Sequence, residues 1–202
     1  MPEAQGKSYS VCADSVEHAA KMPQAERVLK AGYEVLYLTV DEDEIVLQML
    51  ENAGGKPFVS VADENALPVT EEEKANVEQA EKDHKDVLDF AQETLKDQVA
   101  KVRLSKILQS GSVCLTAEGP VSLEMEKYFR KMRRDFPMQA QQVLEINPDS
   151  SAFQALCNAF QAGDKEKAAA YVELLYNQAL IIAASPRPAP ARYAELVCGL
   201  MQ

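Results

Sequence analysis

The sequence predicts an α+β protein: a small α/β unit, then a mixed α/β domain with a three-stranded sheet, ending in two apolar helices. Three observations lead there. Strand, helix, strand, helix and strand patterns follow one another across residues 7–61, the order of a parallel α/β unit. Three short strand patterns lie among helical ones over residues 99–146. Residues 164–202 then carry apolar positions at helical spacing, broken by a proline-rich link.

In order, Tyr9-Ser10-Val11-Cys12 reads as a strand and residues 15–21 as a helix. Pro23 interrupts, and residues 24–30 form a short helix stopped by Gly32. Residues 33–38, Tyr-Glu-Val-Leu-Tyr-Leu, are rich in strand formers and mostly apolar, the composition of a buried strand. The acids at 41–44 stand where the dipole of a helix over 45–52 favours them. Gly54-Gly55 closes that helix, and residues 56–61 are the next strand. Residues 63–73, with Pro68 and an acidic run, read as the linker.

Residues 74–97 are charged with sparse apolar positions, the pattern of one long, half-solvated helix. Residues 99–105 alternate apolar and polar, as a strand with one wet face does. Gly111 turns the chain into a second strand at 112–116, a helix spans 121–134, and Val143 to Ile146 is the third strand. A helix over 153–160 ends before Gly163, and the tail helices follow.

In the first tail helix Ala168, Tyr171, Val172, Leu175, Ala179, Ile182 and Ala183 form a stripe, and Leu174 with Ile181 forms a second apolar line. Tyr193, Leu196, Val197 and Leu200 follow at i, i+3, i+4, i+7 in the second helix. One packing partner cannot bury both lines of the first helix, and an apolar chain end frays unless docked. The expectation is that the tail pairs with the tail of a second copy.

Apolar content of 47% and charged content of 26% suit a folded soluble protein. A net charge of −11 argues against a nucleic-acid binder. The cluster Arg130, Lys131, Arg133 and Arg134 reads as a solvated helix face. Four scattered cysteines and no signal peptide favour a reducing cytoplasm, and the run 179–184 is too short to span a bilayer. No glycine-rich phosphate loop occurs. His18 and His84 stand alone in polar helical contexts and read as surface residues. The acidic run at 41 fails as a calcium loop, because Val46 and Asn52 stand where glycine and glutamate are needed. No catalytic, cofactor or metal residues are assigned. Val121, Met125, Tyr128, Phe129 and Met132 lie within one helical arc, a face that suits adaptable protein binding or a buried core.

These residues resemble a known family. Residues 9–14 and 24–39, through Glu26-Arg27-Val28 and Gly32-Tyr33-Glu34-Val35-Leu36-Tyr37-Leu38-Thr39, resemble the end of the middle domain of the ninety-kilodalton heat-shock chaperones. Asp43-Glu44 and Gln48-Met49-Leu50 fit the helix that follows, residues 99–108 resemble a later strand, and Tyr176 to Ile181 a tail helix. Leu144-Glu145-Ile146-Asn147-Pro148-Asp149 matches the family's "LEINPD" segment, the most specific short match. The matches are collinear, and the absence of an "MEEVD" tail favours the bacterial, HtpG-like branch.

The resemblance implies an α/β/α three-layer unit over residues 1–68, closing the middle domain, and a C-terminal dimerisation domain over 69–202. It implies a homodimer through a four-helix bundle, with Tyr171, Leu174, Leu175, Ala179, Ile181, Ile182, Tyr193, Leu196, Val197 and Leu200 at the interface. It makes Val121, Met125, Tyr128, Phe129 and Met132 a contact face for partly unfolded client proteins. The expected role is that of the dimerisation and client-contact portion of an ATP-dependent cytoplasmic chaperone of the stress response. The ATPase domain is expected to lie outside this chain, with ATP and magnesium, so the chain itself is expected not to be an enzyme. The alternative is a stand-alone interaction adaptor of the same fold. Ser150-Ser151 replaces the family's histidine-proline, and Arg187-Pro188-Ala189-Pro190 its usual link between the tail helices.

Overall fold

The alternating patterns of the first part of the chain become two kinds of strand, one covered on both edges and one left at the rim. In a computed structural model of the chain, residues 5–40, 42–63, 66–132, 139–185 and 189–201 are described. Asp41, Arg133, Arg134 and the link residues 186–188, all used in the sequence reading, lie outside them. The chain divides into two compact units: Met1–Val69 with Thr116–Gln141, and Thr70–Leu115 with Gln142–Gln202. The sequence reading set residues 116–141 with the second domain; by contact they group with the first unit.

In the first unit β1 (Ser8–Cys12) pairs in parallel with β2 (Val35–Leu38) and with β4 (Lys56–Ser60), Tyr9 lying opposite both Val35 and Val59. The four-stranded order is β2-β1-β4-β3, where β3 is Asn52–Ala53. With a neighbour on each edge, β1 is buried from Ser8 to Val11. At the rim β2 is only half-buried, and Leu36 keeps 47% of its surface exposed. This corrects the expectation of a buried strand at 33–38: composition alone does not distinguish a rim strand from a covered one.

Ser15 caps α1 (Val16–Ala19) by accepting from the His18 amide. Pro23 occupies the first turn of α2 (Pro23–Lys30), where its missing N–H costs nothing. Gly54 and Gly55 do not close α3 (Asp43–Leu50), as the sequence suggested; the helix ends at Glu51. They are the two-residue turn of the β3–β4 hairpin, with φ of +58° and +78°, angles that hairpin turns require and glycine adopts without strain.

In the second unit the long helix expected over 74–97 is two, α4 (Glu71–Asp83) and α5 (Lys85–Thr94). Thr70 and Glu73 form a reciprocal capping box at the start. The break falls at His84, at φ −112° and ψ 22°. Its ring meets Phe153 edge-on at 5.2 Å, and its Nδ1 lies 3.6 Å from Cys157 Sγ. His84 is therefore half-buried, not the surface residue its polar neighbours suggested.

Strands β5 (Lys101–Leu104), β6 (Val113–Glu118) and β7 (Gln141–Ile146) form a sheet ordered β5-β7-β6, with β5 and β7 parallel from Lys101 opposite Val143 to Leu104 opposite Ile146. Val102 and Leu104 are buried and Lys101 is exposed, as the alternation requires. Between β6 and β7 lies α6 (Leu123–Met132), within the first unit. After β7 come α7 (Ser151–Gln161), α8 (Lys165–Ile182) and α9 (Pro190–Gly199), with α8 packed against α5, α7 and α9. The protein is an α+β fold, with two small sheets among the described residues.

Candidate functional site

Helix α6 starts after Ser122, whose Oγ accepts from the Met125 amide at 3.1 Å and donates to Glu44 Oε2 at 3.0 Å. That donation ties α6 to α3, its neighbour in the first unit. The predicted arc runs from buried to open: Val121 is buried, Met125, Tyr128 and Phe129 are half-buried, and Met132 is 66% exposed. The Tyr128 and Phe129 rings meet edge-on at 5.4 Å.

Two residues outside that arc anchor the helix. Leu123 is buried, and so is Glu126. Glu126 pairs with Arg130 one turn on and accepts from the Ala140 amide at 3.2 Å. The i, i+4 spacing of Glu126 and Arg130 was the available signal.

Sequence reasoning found the neighbouring helix α3 but missed its open apolar face. Ile45, Val46, Leu47, Met49 and Leu50 are apolar, yet no residue of α3 is buried. Val46, Met49 and Leu50, at i, i+3, i+4, are 48%, 80% and 58% exposed. An apolar helical face left to solvent is a candidate binding surface. The apolar density of the segment was visible; its exposure was not.

A small cleft opens where β1 and β2 end, lined by Cys12, Ala13, Asp14, Leu38, Thr39, Val40, Glu124 and Lys127. Burial, then the Glu124 charge, push the Glu44 carboxyl up to about 7, against the hydrogen bonds from Ser122 and Gln48. Burial also raises Glu124, with Lys127 opposing. The Cys12 thiol is pushed well up by burial and then by Glu44, so it offers no thiolate nucleophile at neutral pH. Among the described residues no group of three or more His, Cys, Asp or Glu could hold a metal ion.

The tail residues divide by burial within the single chain. Leu174, Leu175, Ala179 and Leu196 are buried; Tyr171, Ile182, Tyr193 and Val197 are half-buried; Ile181 and Leu200 are 43% and 56% exposed. Leu174 is thus covered by the chain itself, and Ile181 alone of the second apolar line stays open. Arg192 of α9 grips Glu173 of α8 through Nε at 3.0 Å and Nη2 at 3.2 Å, fixing the two helices together. Among the described residues, no helix is long and apolar enough to cross a membrane.

The chain is an α+β fold in which helices α3 and α6 leave apolar side chains exposed. Residues 1–202 match the family described as Hsp90 protein. Chaperone protein HtpG of Bacillus subtilis strain 168 is 41% identical over 201 residues, taking in 100% of this chain and 32% of that protein. Chaperone protein HtpG of Oceanobacillus iheyensis is 42% identical over 201 residues, and that of Clostridium botulinum strain Langeland 40% over 203, each with the same coverage of 100% and 32%. The chain belongs to the Hsp90 protein family, and it spans about a third of the length of the curated relatives it matches.

Proposed function

We propose that the chain is the homodimerisation and client-contact portion of an ATP-dependent molecular chaperone of the cytoplasm. In this reading residues 1–68 end the middle domain and residues 69–202 are the C-terminal dimerisation domain. The observation that carries it is the open apolar area on two packed helices of one unit: Val46, Met49 and Leu50 on α3, and Met132 on α6. Methionine side chains re-pack around varied partners, which suits clients without a common sequence. Met125, Tyr128 and Phe129, on the same helical arc as Met132, are half-buried.

Ile181 and Leu200, both exposed, stand at the centre of the proposed dimer contact, with Tyr171, Ile182, Tyr193 and Val197 around them. No nucleotide site is proposed in this chain. The sequence has no glycine-rich phosphate loop, and Ser15, Thr70, Ser150 and Asp164 each take one first-turn amide of α1, α4, α7 and α8. No catalytic step is assigned to this chain.

The test is binding to a permanently unfolded probe, reduced and carboxymethylated lactalbumin, followed by fluorescence anisotropy. Met49→Ser with Met132→Ser removes exposed apolar area and is expected to weaken binding about tenfold, with the circular dichroism spectrum unchanged. Binding that survives both changes overturns the client reading.

A further inference from the structure

Strand β2 is the rim of its sheet, and its pairing with β1 uses alternate residues only. Leu38 O accepts from the Ala13 amide at 3.0 Å. The Glu34 amide and carbonyl are both taken by the Gln5 side chain, at 2.8 Å and 3.0 Å. With a main-chain period of two, Leu36, in register with Ser10, faces β1 along with Glu34 and Leu38. The N–H and C=O of Val35 and of Tyr37 therefore point the other way, to an edge that no strand among the described residues covers.

Sheet edges are commonly blunted by a lysine, a proline or a bulge. Residues 33–40 hold no lysine and no proline. The register with β1 runs without a bulge from Tyr9 opposite Val35 to Cys12 opposite Leu38. Apolar surface lies beside the edge: Leu36 is 47% exposed and Val40, just past the strand, 55%. The charge here is negative. No Lys, Arg or His occurs between Ala31 and Gly55, whereas Glu34, Glu42, Asp43, Glu44 and Glu51 do. In the cleft at the C-terminal end of the strand, Asp14 and Glu124 outnumber Lys127.

We propose that the open edge of β2 takes an extended segment of a partner protein as an added strand, one that alternates apolar residues with Lys or Arg. Main-chain groups of the segment at every second residue bond to Val35 and Tyr37, as in other cases of strand addition. Its apolar side chains cover Leu36 and Val40, and its cations meet the acids around the strand. The contact rests on the edge of β2, not on the open side chains of α3 and α6, so it stands whether or not those helices hold clients.

The test is amide hydrogen exchange by NMR on the wild-type chain, with and without a labelled short peptide of alternating Val and Lys. Saturating peptide should slow exchange at Val35 and Tyr37 on the order of tenfold, whereas Leu36 and Leu38, already bonded to β1, should not change. A peptide of alternating Val and Glu should give no protection at the same concentration. Val35→Pro removes an outward N–H without touching the β1 ladder, and should weaken binding of the Val-Lys peptide on the order of tenfold by fluorescence anisotropy. Met49→Ser with Met132→Ser should leave the protection as it is, which separates this outcome from the client test. Exchange unchanged at Val35 and Tyr37 overturns the proposal, as does equal protection by the acidic peptide, or undiminished binding to a folded Val35→Pro chain. Protection of both amides in the peptide-free chain that fades on dilution assigns the edge to a second copy and overturns it too. Should Val35→Pro fold poorly, the exchange measurement on the wild-type chain decides.

Discussion

Glu145, near the end of β7, is almost fully buried and accepts from Arg103 of β5 through Nη2 at 2.6 Å and Nε at 3.1 Å. Its second oxygen takes the Ser105 hydroxyl at 2.7 Å, and that hydroxyl oxygen accepts from the amides of Ile107 and Leu108 at 3.2 Å each. One carboxylate thereby fixes strand β5 and the turn after it. Glu145→Ala should cost about 3 kcal/mol or more, because breaking a buried pair strands its partner's charge. Glu145→Gln, which keeps an acceptor for Ser105, should cost less. Urea midpoints of the two variants against wild type measure both values, and equal midpoints for Ala and wild type would falsify this role.

Asn147, two residues on, holds the loop before β6. Its Nδ2 donates to Gln109 O at 3.2 Å and Gly111 O at 2.9 Å, and its Oδ1 accepts from the Asp149 amide at 2.9 Å. Asn147→Ala removes three hydrogen bonds made by a buried side chain and is expected to lose about 1 to 3 kcal/mol. Asn147→Asp should be worse still, since it turns a donor toward two carbonyl oxygens into a negative charge. Thermal unfolding separates the two, and an Asp variant more stable than the Ala variant contradicts the geometry.

These two residues show what the sequence could and could not convey. "LEINPD" was the most specific short segment in the chain, and its side chains are occupied by scaffold: Leu144 and Ile146 in the core, Glu145 and Asn147 in fixed polar contacts. The strands of the first unit and the tail helices were legible because strand and helix periodicities follow from backbone geometry. The break at His84 was not, because it depends on Phe153 and Cys157, far away in sequence. The hairpin at Gly54-Gly55 was missed because a glycine pair ends a helix as readily as it turns a strand. At the candidate site the arc of α6 was legible as apolar spacing. The open face of α3 was not, because exposure is a property of what packs nearby.

The raised Glu44 carboxyl also makes stability depend on pH. Its folded value, about 7, lies above its ordinary 4.5, so the folded state binds the extra proton. The contribution is complete below about 4.5 and is lost as pH rises through about 7. Glu44→Gln escapes that loss. The variant should match wild type near pH 4.5 and exceed it at pH 8 by on the order of 1 to 2 kcal/mol, a figure reduced for the solvent that reaches a half-buried group. Denaturant unfolding at the two pH values, followed in the first unit, gives the difference directly. A variant less stable than wild type at pH 8 reverses the sign and refutes it.

The tail gives the sharpest test of assembly, because its residues fall into two classes that substitutions should separate. Ile181 and Leu200 are exposed in the single chain, so a charge at either meets water and should leave the fold intact. Leu175 and Leu196 are buried in the chain itself, and a charge there damages the fold before any contact between copies is reached. If two tails pair, Ile181→Glu with Leu200→Glu places four like charges in one two-fold contact, since a symmetric interface presents each substitution twice. Light scattering over a dilution series should then show a dimer for wild type and a folded monomer for the double variant, with dissociation shifted at least a hundredfold in concentration, about 2.7 kcal/mol. Leu175→Glu should lose helical circular dichroism signal instead. A wild-type chain that is monomeric at micromolar concentration removes the dimer altogether, whereas a double variant that stays dimeric moves the contact to some other face.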